Sequence, residues 1–137
     1  MKLIIKILVI DKEEIILKSI RRALKNNDNV EYIITTCNTA LEGLKIIRSD
    51  MFDLVFLDLV LPGINGNELL RRIKNTYPEI RVIVMCGYSY AGTYQFPKNI
   101  SASEASDNAD GFLLKPFTIE EIKTIISSTI KLNLNRK

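Results

Sequence analysis

Short Ile- and Val-rich runs alternate along this chain with segments whose apolar residues recur at helical spacing. No other feature constrains the fold as much. Leu3–Ile10 is apolar except at Lys6, the pattern of a strand covered on both faces. From Glu13 to Asn26, Ile16, Ile20, Ala23 and Leu24 repeat with a helical period. Tyr32–Thr36 is a β-branched run, and Phe52–Leu57 reads as another buried strand. Between them, Thr39–x–x–Glu42 has the form of a capping box and opens a helix carrying Leu41, Leu44 and Ile47. Pro62, Gly63, Asn65 and Gly66 mark a loop, and Leu69, Leu70 and Ile73 a third helix. Val82–Met85 and Gly111–Leu114 are strand-like. Thr118–x–x–Glu121 opens a last helix with Ile122, Ile125, Ile126 and Ile130 on its face.

The order is βαβαβαβ, then an irregular stretch, then βα. Such alternation predicts an α/β protein with a parallel sheet and helices on both faces. In open sheets of this kind, ligands bind at the carboxyl ends of the strands, near a reversal of strand order. The residues expected there are Asp11, Asp58, Cys86 and Lys115.

A length of 137 residues, with 47% hydrophobic and 26% charged, suits one domain with a real core. The apolar runs are far shorter than the ~20 residues that cross a bilayer, and the first segment lacks a signal-peptide cleavage pattern. A cytoplasmic chain with no membrane contact is therefore expected. The net charge of +3 comes with no basic run, so direct nucleic-acid binding is not expected. Lys131, Arg136 and Lys137 in the tail read as a solvated helix end or the start of a linker. The chain has no histidine, which removes the commonest general base and transition-metal ligand. Cys37 and Cys86 lack CxxC spacing, so neither a zinc site nor a disulfide framework is expected.

Two carboxylates and a lysine at one sheet edge have a chemistry in common. A carboxylate can be the nucleophile that forms an acyl phosphate. Phosphoryl transfer then needs positioning and cations to neutralise the transferring oxygens. Asp11 can help hold Mg²⁺, and Lys115 supplies a fixed positive charge. Taken singly, each is also a polar residue where a strand leaves the sheet.

Taken together, four segments resemble the receiver domain of two-component response regulators, including the chemotaxis regulator. Ile7–Leu8–Val9–Ile10–Asp11 resembles its first strand and acidic end. Asp53 to Gly66, with Asp58, Pro62, Asn65 and Gly66, resembles its phosphoacceptor segment. Val82 to Gly87 resembles the fourth strand with its switch position, and Gly111 to Phe117 the fifth strand with its lysine–proline turn. The resemblance covers nearly the whole chain and implies a single receiver domain over 1–137, with no effector domain visible. The implied fold is flavodoxin-like and doubly wound, with five parallel strands in the order 2-1-3-4-5 and an irregular fourth-helix region. Asp58 would accept a phosphoryl group from a histidine kinase or a small acyl phosphate, and Lys115 would pair with that group. Asp11, Asp58 and the Val60 backbone carbonyl would hold Mg²⁺. Cys86 occupies the switch position and Phe112 the aromatic switch position, whose ordinary reading is a partly buried strand residue. The Lys115–Pro116 bond would be cis. A downstream protein or effector domain would read the switch, and a homodimer is left open.

Three departures bear on function. The family usually has two adjacent acids after the first strand, whereas Lys12 stands at the second position. One unit charge ~4 Å from the ion is worth about 4 kcal/mol at an effective dielectric near 20, so weak Mg²⁺ binding is expected. Lys12 can swing into water, or place its ammonium near the Mg²⁺ position and pair with Asp58. Glu13 and Glu14 follow, and their ordinary reading is as acids complementing the helix dipole, with at least one pointing away. At the switch position Cys86 replaces Thr or Ser and offers only a weak S–H donor. A reactive-thiol reading of Cys86 gains from nearby Lys115 and Lys12. A bond to Cys37 does not fit the implied strand order, which separates them by roughly 14 Å against a limit near 7 Å. Finally, the span from Cys86 to Lys115 is long. It carries aromatics over 88–100, and Ser101–Asn108 is its helical part, with Ser101–x–x–Glu104 as cap.

The leading reading is a phosphorylated signalling switch, not an enzyme beyond its own phosphorylation and dephosphorylation. The alternative is a receiver-like interaction module that works without phosphorylation, which Lys12 and Cys86 favour. A dehalogenase-like phosphatase is disfavoured, because that class wants an acid two residues after its nucleophile and Val60 stands there.

Overall fold

A central parallel sheet takes its order from strands that are apolar on both faces. The computed structural model describes residues 2–88, 94–95 and 107–130. Its strands are β1 (Leu3–Ile10), β2 (Val30–Cys37), β3 (Leu54–Asp58), β4 (Arg81–Tyr88), β5 (Tyr94–Gln95) and β6 (Gly111–Lys115). Its helices are α1 (Glu14–Ala23), α2 (Ala40–Ser49), α3 (Gly66–Thr76) and α4 (Ile119–Ile130). The five parallel strands run in the order β2-β1-β3-β4-β6. That is the 2-1-3-4-5 order expected, with β6 as the fifth parallel strand.

Side-chain alternation divides the core into two layers. Leu8, Ile10, Val55, Leu57, Val82 and Val84 face α2 and α3, meeting Ile47, Leu69, Leu70 and Ile73. Ile5, Ile7, Val9, Leu54, Phe56, Ile83 and Met85 face α1 and α4, meeting Leu17, Ile20, Ile122 and Ile126. The chain leaves β1 towards β2 and returns on its other side as β3. The reversal of strand order therefore falls between β1 and β3, and in open sheets of this kind ligands bind at the carboxyl edge beside it.

Local chemistry sets the boundaries. Thr118 and Glu121 form a reciprocal capping box: the Glu121 amide donates to the Thr118 hydroxyl at 3.1 Å, and the Thr118 amide donates to the Glu121 carboxylate at 2.8 Å. Thr39 caps α2 by accepting from the Glu42 amide. The first helix is shorter than its apolar period predicts, ending at Ala23 rather than Asn26. Asn26 and Asn27 instead accept backbone amides of Tyr32, Asn29 and Val30, which fixes a loop. Leu41 is not on the buried face of α2. It is exposed, while Ala40, Gly43 and Ile47 are buried. Gly43 brings the helix close: a Cβ there would lie 2.6 Å from Ile10 Cδ1.

The fourth strand is longer than expected. It runs through Cys86 to Tyr88, so Cys86 lies inside a strand and does not end one. Beyond the Asp58–Met85 pairing, β3 stops. Gly87 then pairs with Lys115 of β6 on one side and antiparallel with Gln95 of β5 on the other, so β5 takes the edge that β3 vacates. The expected helix over Ser101–Asn108 and its Ser101–Glu104 cap lie outside the described residues, except that 107–108 are helical. The aromatic insertion over 88–100 also lies outside them, except for the backbone at 88 and 94–95, and so does the tail over 131–137.

Candidate functional site

The alternation that builds the second layer also aims three charged side chains. Asp11 follows Val9, Asp58 follows Phe56 and Lys115 follows Leu113, each two residues on and so on the same face. Ile10 pairs with Leu57, so Asp11 and Asp58 continue neighbouring strands one step past that pair. Both acids are buried, at 0% and 2% exposure. Lys115 reaches over from β6 and sits 2.7 Å from Asp11 Oδ2, 3.5 Å from Asp58 Oδ2 and 3.2 Å from Glu13 Oε1. The Lys115–Pro116 peptide is cis, as the resemblance implied.

The loop after each strand is tied back to its acid. Asp11 Oδ1 accepts the Glu13 amide at 2.8 Å, and Asp58 Oδ1 accepts the Val60 amide at 2.9 Å. Asp11 Oδ2 and Asp58 Oδ2 are buried and receive no well-directed hydrogen bond among the described residues; their compensation is the ammonium charge beside them. Gly66, at the start of α3, lets this loop fold tightly. A Cβ there would fall 2.3 Å from the Leu59 carbonyl oxygen and 2.7 Å from Leu59 Cα, right beside Asp58. Gly63 has φ +80°, a turn conformation that suits glycine.

Lys12 does not point into water. Its Nζ donates to the Val60 carbonyl at 3.0 Å and lies 3.7 Å from Asp58 Oδ2. Of the two placements open to it, the one beside Asp58 is adopted. Glu13, whose ordinary reading was a helix-dipole acid, joins the site through Lys115, while Glu14 is exposed. The local signal for Glu13 was its place two residues after an aspartate able to accept its amide.

Burial raises the Asp11 carboxyl to about 6; neighbouring Asp58 adds to the rise, and Lys115 and the Glu13 amide only partly offset it. Burial alone would lower Lys115, but its contacts with Asp11, Asp58 and Glu13 outweigh that and leave it above its ordinary value. Cys86 is packed with the α2/α3 layer, on the opposite parity from Asp58. Burial first, then the Asp58 charge, pushes its thiol up to about 11, with Lys115 offsetting part. Burial of the thiol weighs against the reactive-thiol reading, because it outweighs the nearby cation. Cys37 and Cys86 are both free thiols. Phe112 is half-buried against the same layer, paired in register with Val84.

Asp11, Glu13 and Asp58 each offer a carboxylate oxygen, all within 4.8 Å of one another, a donor set of the kind Mg²⁺ takes. The set implied by resemblance was Asp11, Asp58 and the Val60 carbonyl. Here the Val60 carbonyl accepts the Lys12 ammonium at 3.0 Å. Among the described residues, no helix is long and apolar enough to cross a membrane.

Comparisons with known proteins agree with this geometry. A family model described as response regulator receiver domain matches residues 7–127. Response regulator MprA of Mycobacterium ulcerans is 28% identical over 118 residues, covering 86% of this chain and 47% of that protein. The chain thus spans about half the length of the curated relatives it matches. A CheY-like receiver domain protein from Methanospirillum hungatei superposes with a TM-score of 0.77 at 25% identity, over 94% of this chain and 95% of that one. NtrX from Brucella abortus superposes with a TM-score of 0.77 at 26% identity, over 94% of this chain and 27% of that one. On fold, motif order and acidic crevice together, the chain belongs to the response regulator receiver domains of two-component signalling, a signalling family rather than a family of enzymes in the ordinary sense.

Proposed function

We propose that Asp58 accepts a phosphoryl group from the phosphohistidine of a partner histidine kinase, and that this changes the protein contacts of the domain. The observation that carries the reading is one buried carboxylate oxygen, Asp58 Oδ2, with ammonium groups at 3.5 and 3.7 Å and its sister oxygen fixed by the Val60 amide. In the transfer an Asp58 oxygen forms a bond to phosphorus as the phosphorus–nitrogen bond breaks. The departing imidazole keeps the bonding pair. Lys115 and Lys12 neutralise charge on the transferring oxygens, the main catalytic need of such a step. Lys115 follows the group and draws on β6, where Phe112 is the residue proposed to transmit the change. Beyond accepting and losing this group, the domain has no turnover of its own. A small acyl phosphate serves as donor too.

Mg²⁺ is a weak partner in this reading, because Lys12 already holds the Val60 carbonyl. The proposed setting is the cytoplasm, with a histidine kinase upstream and a downstream protein or effector domain reading the state; a homodimer is one form that reading can take. The Lys12 contact also favours a second reading, an interaction module fixed in one state without phosphorylation. Intact-mass measurement after incubation with acetyl phosphate or phosphoramidate separates the two. The switch reading expects one added phosphoryl group that disappears in Asp58→Ala. No adduct under any condition, while another receiver domain labels in parallel, leaves the module reading. An adduct that survives Asp58→Ala refutes the site.

A further inference from the structure

Lys12 occupies the seat a cation would need. One nitrogen bonds the Val60 carbonyl and faces Asp58 Oδ2, and these are two of the three groups implied as metal ligands. The side chain is 41% exposed, whereas Asp58 is 3% exposed, so Lys12 lays its stem along the surface and puts its charged end into the site. The second ammonium, from Lys115, stands on the Asp11 side of the same oxygen. Asp58 Oδ2 therefore lies between two lysine charges.

We infer that the Lys12 ammonium is the resident cation of this domain: it bridges Asp58 and the Val60 carbonyl in place of a divalent ion, keeps such an ion out of that seat, and makes phosphoryl acceptance independent of divalent metal. Three physical points support this. The ammonium has three donors and needs acceptor oxygens, which the carbonyl and carboxylate supply. A cation already bonded to a carbonyl repels a second cation directed at the same oxygen. A covalently held charge is present at every metal concentration, so the loop from Asp58 to Val60 keeps its shape without added ion. The consequence for phosphorylation rests on the reading of Asp58 above; the exclusion of metal does not.

The test uses the domain as it is, with Mn²⁺ as the probe and the electron paramagnetic resonance signal of free Mn²⁺ as the readout. Wild type is expected to hold Mn²⁺ at this site only weakly, with little uptake below the millimolar range. Lys12→Asp is expected to take up one ion at least about tenfold more tightly, the scale on which groups around a metal tune its affinity. Lys12→Met, which removes the charge and adds no ligand, is expected to fall between them and serves if the aspartate variant does not fold. One Mn²⁺ bound equally well by wild type and both variants would overturn the inference. A second arm follows labelling by phosphoramidate, in which an Asp58 oxygen bonds phosphorus as the phosphorus–nitrogen bond breaks and ammonia leaves with the pair. Wild type is expected to label equally in Mg²⁺ and in EDTA, and Lys12→Asp only in Mg²⁺. Labelling of wild type that vanishes in EDTA sinks the inference while leaving Asp58 as acceptor. No labelling anywhere sinks the acceptor reading, and the Mn²⁺ titration still decides the cation.

Discussion

Replacing Asp11 by asparagine is expected to stabilise the domain above pH 6 while leaving it unchanged in acid. Asp11 is wholly buried, and its carboxyl is raised from 3.8 to about 6, chiefly by that burial. The folded protein therefore holds this proton more tightly than the unfolded chain does. The stability contributed by Asp11 is complete below pH 3.8 and is lost as pH rises through about 6. A displacement of ~2 units at ~1.4 kcal/mol per unit makes the loss about 3 kcal/mol once both states are ionised. Asparagine mimics the protonated acid. Its carbonyl still accepts the Glu13 amide, and Lys115 still has Glu13 at 3.2 Å and Asp58 at 3.5 Å.

Urea denaturation followed by circular dichroism, in EDTA from about pH 4 to about pH 8, measures the difference. Wild type and Asp11→Asn are expected to agree near pH 4 and to diverge by about 3 kcal/mol in favour of the variant near pH 7.5. Comparing the two at each pH cancels carboxylates of opposite sign, such as Asp50, which its hydrogen bond from Lys6 holds below its ordinary value. A variant less stable than wild type near neutral pH would mean that the Asp11–Lys115 pair outweighs the burial of the charge. A difference that did not vary with pH would remove ionisation from the account altogether.

Lys115→Met leaves Asp11, Glu13 and Asp58 without their shared ammonium and is expected to cost about 3 kcal/mol in the same denaturation assay, part of it recovered when Asp11→Asn is added. Gly66→Ala places a methyl 2.3 Å from the Leu59 carbonyl, so backbone must move; a loss of about 2 kcal/mol and displaced amide resonances at 58–60 are expected by denaturation and nuclear magnetic resonance. Cys86, buried and with its thiol pushed up to about 11, is expected to stay unmodified by iodoacetamide at neutral pH until urea unfolds the chain, as read by intact mass.

The parts of this fold that were legible in sequence are those set by local period and local chemistry. Val9–Asp11, Phe56–Asp58 and Leu113–Lys115 lie two residues apart, so strand alternation alone puts the three charges on one face. Thr118 and Glu121 announce a helix start because both partners of the box lie within one turn. What escaped depends on neighbours distant in sequence. Leu41 sits at a plausible apolar position of α2, yet Gly43 decides which face approaches the sheet, through its fit against Ile10. The length of β4 depends on β5 and β6 pairing beyond the end of β3. Lys12 could be weighed as swinging out or in, but its bond to Val60 spans 48 residues and no spacing rule predicts it.

Two of the three departures from the family pattern, Lys12 and Cys86, bear on the proposed switch in the same sense. A phosphoryl group on Asp58 would replace one negative charge by nearly two. A divalent ion answers such a gain with two positive charges, whereas Lys12 answers with one and Lys115 with another. At the switch position a hydroxyl would give a directional hydrogen bond, but Cys86 gives a weak donor buried in the α2/α3 layer. A state is favoured only by contacts that differ between it and its rival. With the thiol a poor partner and Lys12 already bonded before transfer, the contact left to change is that of Lys115. Its ammonium can move from Asp11, at 2.7 Å, towards a group on Asp58, now at 3.5 Å. In the proposed switch, the coupling between this site and the rest of the domain would therefore run through β6 more than through β4, and Asp11, which would give up that lysine, is the residue whose charge would oppose the move.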